Sequence, residues 1–327
     1  MYYRHPHAFI LAAWNSTISS VTVTNNSRAV VGTALSPCHP GNVFIAGLTE
    51  ESLDGGHNVI LDSPAPCYIG LGDIETTLWT SSANPAGTND LIAIGHSKGA
   101  YMLSAQGKLL HSYNAGRDVR AIDWLNPSTT VGGSTKGEIF LWDTRTWGSS
   151  LRFRHPGPVT GLRNLGNGSQ ILVSGMESIA IYDVRMTQRA KPTTKPTTTS
   201  SRAAAGGSKH HHHHHHHRSP SLSEPWLSIP SISKSPQVAL DVWPEAKLVA
   251  RRDDFNVIQL YSLVDGRHVR SLGTPDYERD RQWMRRMRFV EGKRGDVSLM
   301  NCQGAWLREW SYGGRGDDSD DEEEEEG

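Results

Sequence analysis

Ile139-Phe140-Leu141-Trp142-Asp143-Thr144-Arg145 and Ile179-Ala180-Ile181-Tyr182-Asp183-Val184-Arg185 stand forty residues apart and share one pattern. Each reads as a half-buried strand of alternating side chains, and each closes on an aromatic-Asp-x-Arg tetrad. Upstream, Val119 and Ile122 answer to Val159 and Leu162 at the same step. A fixed period near forty, built from short strands, is the signature of a β-propeller, in which each repeat folds into one four-stranded blade. The fold expected is therefore all-β.

Working outward, one unit reads as strands over 119–125, 130–134 and 138–143, with 151–155 leading into the next. That next unit repeats them as 159–165, 170–174 and 178–183, and Gly166-Asn167-Gly168 supplies residues that tolerate the positive φ of tight hairpins. Strands over 91–95 and 100–104 belong to an earlier unit, and 238–242, 247–251 and 257–261 to a later one. The last legible unit spans 284–290, 297–301 and 305–310, whereas the register of 1–73 is blurred. Six or seven blades are expected, with 1–73 as a poorly resolved N-terminal blade or blades, 74–188 and 235–314 as propeller, 189–234 as a disordered insertion and 315–327 as a disordered acidic tail.

The insertion is rich in Ser, Thr, Pro, Lys, Ala and Gly and encloses eight consecutive histidines, 210–217. Such composition buries too little apolar surface to offset its ordering entropy, so disorder is expected. Imidazoles are good ligands for divalent metals, but a site needs fixed geometry and supporting hydrogen bonds. The tract is read as a low-complexity expansion, with no metal and no cofactor expected. Residues 317–326 hold nine of the 34 acidic side chains, which leaves 25 against the 33 basic ones elsewhere. The body is thus mildly basic, yet no stripe of interleaved Arg and aromatic residues argues for direct nucleic-acid binding.

Cys38, Cys67 and Cys302 are odd in number and lack CxxC spacing, which points away from disulfides and thiolate zinc sites and towards a reducing, intracellular compartment. Residues 8–14 are at the short limit for a signal-peptide core and lack its cleavage pattern, and no apolar stretch is long enough to span a bilayer.

Gly95-His96-Ser97-Lys98-Gly99 matches the G-x-S-x-G elbow of serine esterases, with Ser97 as nucleophile. An elbow needs strand, strained turn and helix, but residues 100–107 alternate with period two and meet a glycine. Shifted by thirty-eight, the motif lands on Gly133-Ser134-Thr135-Lys136-Gly137, so both are expected to be turns between second and third strands. The esterase is kept only as a remote alternative, and no catalytic residue is assigned.

On these repeats the chain resembles the WD-repeat proteins. Within them, Ile139 and Leu141 before Trp142-Asp143-Thr144-Arg145, with the second copy ending Tyr182-Asp183-Val184-Arg185, are similar to the box of the substrate receptors of cullin-4 RING ubiquitin ligases. The resemblance implies a non-catalytic receptor that presents an unidentified protein substrate. Asp143, Arg145, Asp183 and Arg185 would contact the ligase's damaged-DNA-binding adaptor, with Trp142, Tyr182 and His155 as structural residues of the blades. It also implies a nuclear rather than cytoplasmic protein. The alternative is a WD-repeat scaffold of a chromatin or RNA-processing complex, its tetrads purely structural.

Overall fold

The computed structural model describes residues 18–24, 28–33, 42–53, 56–70, 76–85, 90–185, 224–230, 239–255, 257–273, 284–291, 297–303 and 306–312. Its elements there are all strands, and they form antiparallel sheets in chain order. The first sheet is β1 (Ile18–Val23), β2 (Arg28–Thr33), β3 (Asn42–Leu53) and β4 (Gly56–Gly70). The second is β5 (Leu78–Ala83), β6 (Leu91–His96), β7 (Gly99–Ser104) and β8 (Leu109–Asn114). The third is β9 (Val119–Asn126), β10 (Thr129–Ser134), β11 (Glu138–Asp143) and β12 (Gly148–Arg154). The fourth is β13 (Val159–Asn164), β14 (Gln170–Gly175), β15 (Ser178–Asp183) and β16 (Leu227–Pro230). The fifth is β17 (Leu240–Trp243), β18 (Leu248–Arg252), β19 (Ile258–Ser262) and β20 (His268–Leu272). The sixth has β21 (Met284–Glu291), β22 (Val297–Gln303) and β23 (Trp306–Tyr312) among the described residues.

The sheets stack as in a propeller. Each first strand lies against the first strand of the next sheet, from β1 and β5 through to β17 and β21. Every neighbouring pair of sheets shares one hydrophobic cluster, for example Val131, Leu141 and Phe153 of the third against Ile171, Val173 and Tyr182 of the fourth. Covered on both faces, β6, β10 and β14 are buried along nearly their whole length. The third strands β11 and β15 are likewise buried at four successive residues rather than half-buried, because each sheet has a neighbour on either side. The fourth strands β8 and β20 form the exposed outer edge.

The first sheet fills the stretch whose register the repeat leaves blurred, and the insertion departs from expectation at an outer edge. The blurred first seventy residues contain a complete sheet, its periodicity hidden by the long β3–β4 hairpin. The stretch 189–234 is not structureless throughout, since Leu227–Pro230 returns to pair with Ser178–Ile181. Pro225 and Pro230 argue against a strand in the sequence, but an outer strand tolerates proline because one of its edges bonds to nothing. The histidine tract and the acidic tail lie outside the described residues.

Hydrogen bonds tie the innermost strands together. On β9, Asp123 Oδ1 accepts from the Ser82 hydroxyl of the second sheet at 3.0 Å, and Oδ2 accepts from the Asn164 N–H of the fourth at 2.9 Å. At the matching place on β17, Asp241 accepts from Arg163 Nε at 2.9 Å and from the Phe289 N–H at 2.8 Å. Arg163 occupies the same register position on β13, where both carboxylates attract it. An Asp-Arg-Asp row thus links the second to the sixth sheets.

Close approach also demands glycine. A Cβ on Gly133 would stand 2.3 Å from Val159 Cγ1, on a fully buried, β-branched side chain with no room to turn. Gly133→Ala is therefore expected to cost about 1–3 kcal/mol in chemical denaturation, as overpacking does.

Candidate docking surface

Both tetrads occupy the turn that leaves a third strand, at the same end of neighbouring sheets. After β11, the Arg145 N–H and Nε donate to Asp143 Oδ1 at 2.9 and 3.0 Å, and Nη2 donates to Oδ2 at 2.6 Å. After β15, Arg185 makes the same bonds to Asp183 at 2.9, 3.0 and 2.6 Å. The residue between Asp and Arg anchors each turn to the adjacent hairpin, with Thr144 N–H donating to Ser128 O and Val184 N–H to Ser169 O, both at 2.8 Å. Side chains Arg145 and Arg185 are 73% and 72% exposed, against 16% and 15% for their aspartates.

The sequence reading had Asp143, Arg145, Asp183 and Arg185 all contacting the adaptor. The aspartates instead sit low and chelate their own arginines. Hydrogen bonding from Arg145 lowers the Asp143 carboxyl to about 2, and Arg185 lowers Asp183 in the same way. Two of the five N–H groups of each guanidinium are so used, leaving three to meet an acceptor.

Beneath the turns lie the aromatic residues. Trp142 is buried at the seam of the second and third sheets, with ring centroids 5.4 Å from both Tyr113 and His111. Tyr182 is buried at the seam of the third and fourth, 5.1 Å from Phe153. Its hydroxyl lies 3.0 Å from Nδ1 of buried His155, and burial lifts the phenol to about 12, so it stays neutral.

Ser97 sits elsewhere. His96 pairs with Gly99, so Ser97-Lys98 is a two-residue β-hairpin rather than a strand-to-helix elbow. The Ser97 N–H donates to Thr77 O at 2.9 Å, and its hydroxyl oxygen accepts the Thr77 N–H at 3.3 Å. The matching loop joins β10 to β11, as the thirty-eight-residue shift predicts.

Among the described residues no three His, Cys, Asp or Glu side chains are grouped so as to hold a metal, and no helix is long and apolar enough to cross a membrane. Sequence reasoning missed the row of Asp123, Arg163 and Asp241. The forty-residue shift does superpose Asp123 on Arg163, the one sequence signal for the row. The chain matches no protein-family model, and no curated protein matches it.

Proposed function

We propose that the chain is a non-catalytic WD-repeat propeller of six or seven blades, the substrate receptor of a cullin-4 RING ubiquitin ligase. It docks on the damaged-DNA-binding adaptor through Arg145 and Arg185, and another face holds a protein substrate for ubiquitin transfer by other subunits. Such a receptor accelerates transfer by raising the effective concentration of its substrate. The order of tandem boxes, insertion and terminal blades is similar to that of cullin-4-associated factor 4.

One observation carries this reading. Two successive sheets present the same Arg-on-Asp geometry, and in both the arginine side chain is about three-quarters exposed. A solvent-exposed ion pair contributes little to folding, so a duplicated one is better accounted for by contact with a partner. Arginine suits that role because its planar fork engages carboxylates and carbonyls bidentately.

The double variant Arg145→Ala with Arg185→Ala is expected to abolish adaptor pull-down while the thermal midpoint moves little. A second reading, a scaffold of a chromatin or RNA-processing complex, is favoured by the chelation of each arginine by its own aspartate. It expects no adaptor with the wild-type chain and a lowered midpoint in the double variant.

A further inference from the structure

At the end of the sheets opposite the tetrads an irregularity recurs. A β-bulge near the start of β1, β5, β9, β13 and β21 leaves one residue outside each ladder. Bulges of this kind are over-represented beside functional sites, where they re-aim a side chain. In β5 the extra residue is Trp79, and in β9 it is Arg120. These two meet across the seam between the second and third sheets, where the Arg120 guanidinium carbon lies 4.3 Å from the centre of the Trp79 ring. Strand β9 runs from here to Asn126, beyond which Ser128 accepts the Thr144 N–H of the first tetrad. The length of a strand therefore separates the two places.

Backbone hydrogen bonds tie the surrounding loops into one surface. The Lys98 carbonyl, in the β6–β7 hairpin, accepts the N–H groups of Ala115 and Gly116 at 3.0 and 3.1 Å. The Asp118 carbonyl accepts the Thr135 N–H at 3.2 Å, and Gly137 O accepts the His155 N–H at 2.8 Å. Among the described residues this framework carries five cations, Lys98, Arg117, Arg120, Lys136 and Arg154, against two carboxylates, Asp118 and Glu138. Glu138 is shared by Arg117 at 2.6 Å and Arg154 at 3.6 Å, and Asp118 holds Arg120 Nη2 at 3.3 Å. Lys98 and Lys136 are exposed. The tetrad turns differ, because there each arginine is matched by its own aspartate.

Two independent features call for an anion here. One is the surplus of positive charge. The other is unmet hydrogen bonding, since Arg120 Nε, Arg154 Nε and the Trp79 indole N–H are covered and have no acceptor. A buried donor left unsatisfied costs about 1–3 kcal/mol. Stacking on Trp79 also fixes the plane of the Arg120 fork, so an arriving carboxylate meets a guanidinium already oriented. A nucleic acid fits less well. Bases need open aromatic faces, and Arg120 already lies over Trp79. The two carboxylates of the surface also repel a run of phosphates.

We propose that this end of the second and third sheets binds an acidic segment of a protein partner, with Arg120 on Trp79 as its fixed point and Lys98 and Lys136 as its flanks. A carboxylate of the segment pairs with the Arg120 fork, and the lysines attract its neighbours. The site goes beyond adaptor docking and does not depend on it, because the tetrads occupy the other end.

The test titrates the full chain with a fluorescently labelled polyglutamate peptide at low and physiological salt. Saturable binding that weakens as salt rises is expected. Lys98→Glu with Lys136→Glu should weaken it about tenfold with the thermal midpoint unchanged, since both lysines are exposed. Arg120→Lys keeps the charge but loses the planar fork, and it too should weaken binding. Arg145→Ala with Arg185→Ala should bind as the wild type does. Absence of saturable binding by the wild type, or full affinity in the lysine variant, overturns the proposal. Full affinity in Arg120→Lys reduces the surface to general electrostatics and also overturns it. A single-stranded RNA of equal charge that binds more tightly through the same lysines assigns the surface to nucleic acid and overturns it as well.

Discussion

Asp123→Ala is expected to lower stability by about 3–5 kcal/mol, read as a fall in the denaturant midpoint of the full chain. The carboxylate accepts the Ser82 hydroxyl at 3.0 Å on one side and the Asn164 backbone N–H at 2.9 Å on the other, with its own Trp124 N–H at 2.9 Å. Alanine leaves each donor in a partly buried seam without that acceptor. It also removes one of the two negative charges that attract Arg163. Asp123→Asn separates the two contributions. The amide keeps one oxygen, but its NH2 then faces a hydroxyl or the Asn164 N–H, and of the two charges attracting Arg163 only that of Asp241 remains. It should therefore recover only part of the loss. A midpoint in Asp123→Ala equal to wild type would mean that the sheets are joined by their apolar clusters alone.

The row also marks where sequence reasoning stops. Repetition at forty residues located both tetrads and most strands to within a few residues, because a recurring blade imposes a recurring apolar pattern. It also identified Gly95-His96-Ser97-Lys98-Gly99 as a turn, since the shifted copy shares that turn. What the pattern conceals is whatever changes from blade to blade. Asp123 becomes Arg163 in the next copy, so the ion pairing between sheets reads as noise until neighbouring strands are seen side by side. Leu227–Pro230 follows Ser178–Ile181 across a low-complexity stretch, and no period connects the two. Only the ladder between β15 and β16 does. The inward tilt of Asp143 and Asp183 onto their arginines was equally hidden, because spacing by two places both residues near a rim without saying which is withdrawn.

Acidification from pH 6.5 to 4 is expected to destabilise the fold by roughly 2–3 kcal/mol for each of two buried histidines. Burial, with Lys98 adding to it, lowers His96 to about 4, and burial alone lowers His155 to about 4. Both imidazoles are neutral in the fold. Nδ1 of His96 accepts the Lys98 N–H at 3.2 Å while its ring stacks on Tyr101 at 4.0 Å, and Nδ1 of His155 meets Tyr182. The unfolded chain binds a proton on each near pH 6.5, whereas the fold resists until about pH 4. Their contribution is thus fully present above pH 6.5, declines as pH falls through that window, and is lost below it. Asp143 is held at about 2, so its own loss comes at lower pH and does not blur the histidine step. Thermal midpoints of wild type, His155→Gln and His96→Gln at pH 7.5 and 4.5 provide the check. Each variant should start lower at pH 7.5 yet lose less on acidification, and the double variant should lose least. Parallel losses in all four proteins would show that neither imidazole is the group being titrated.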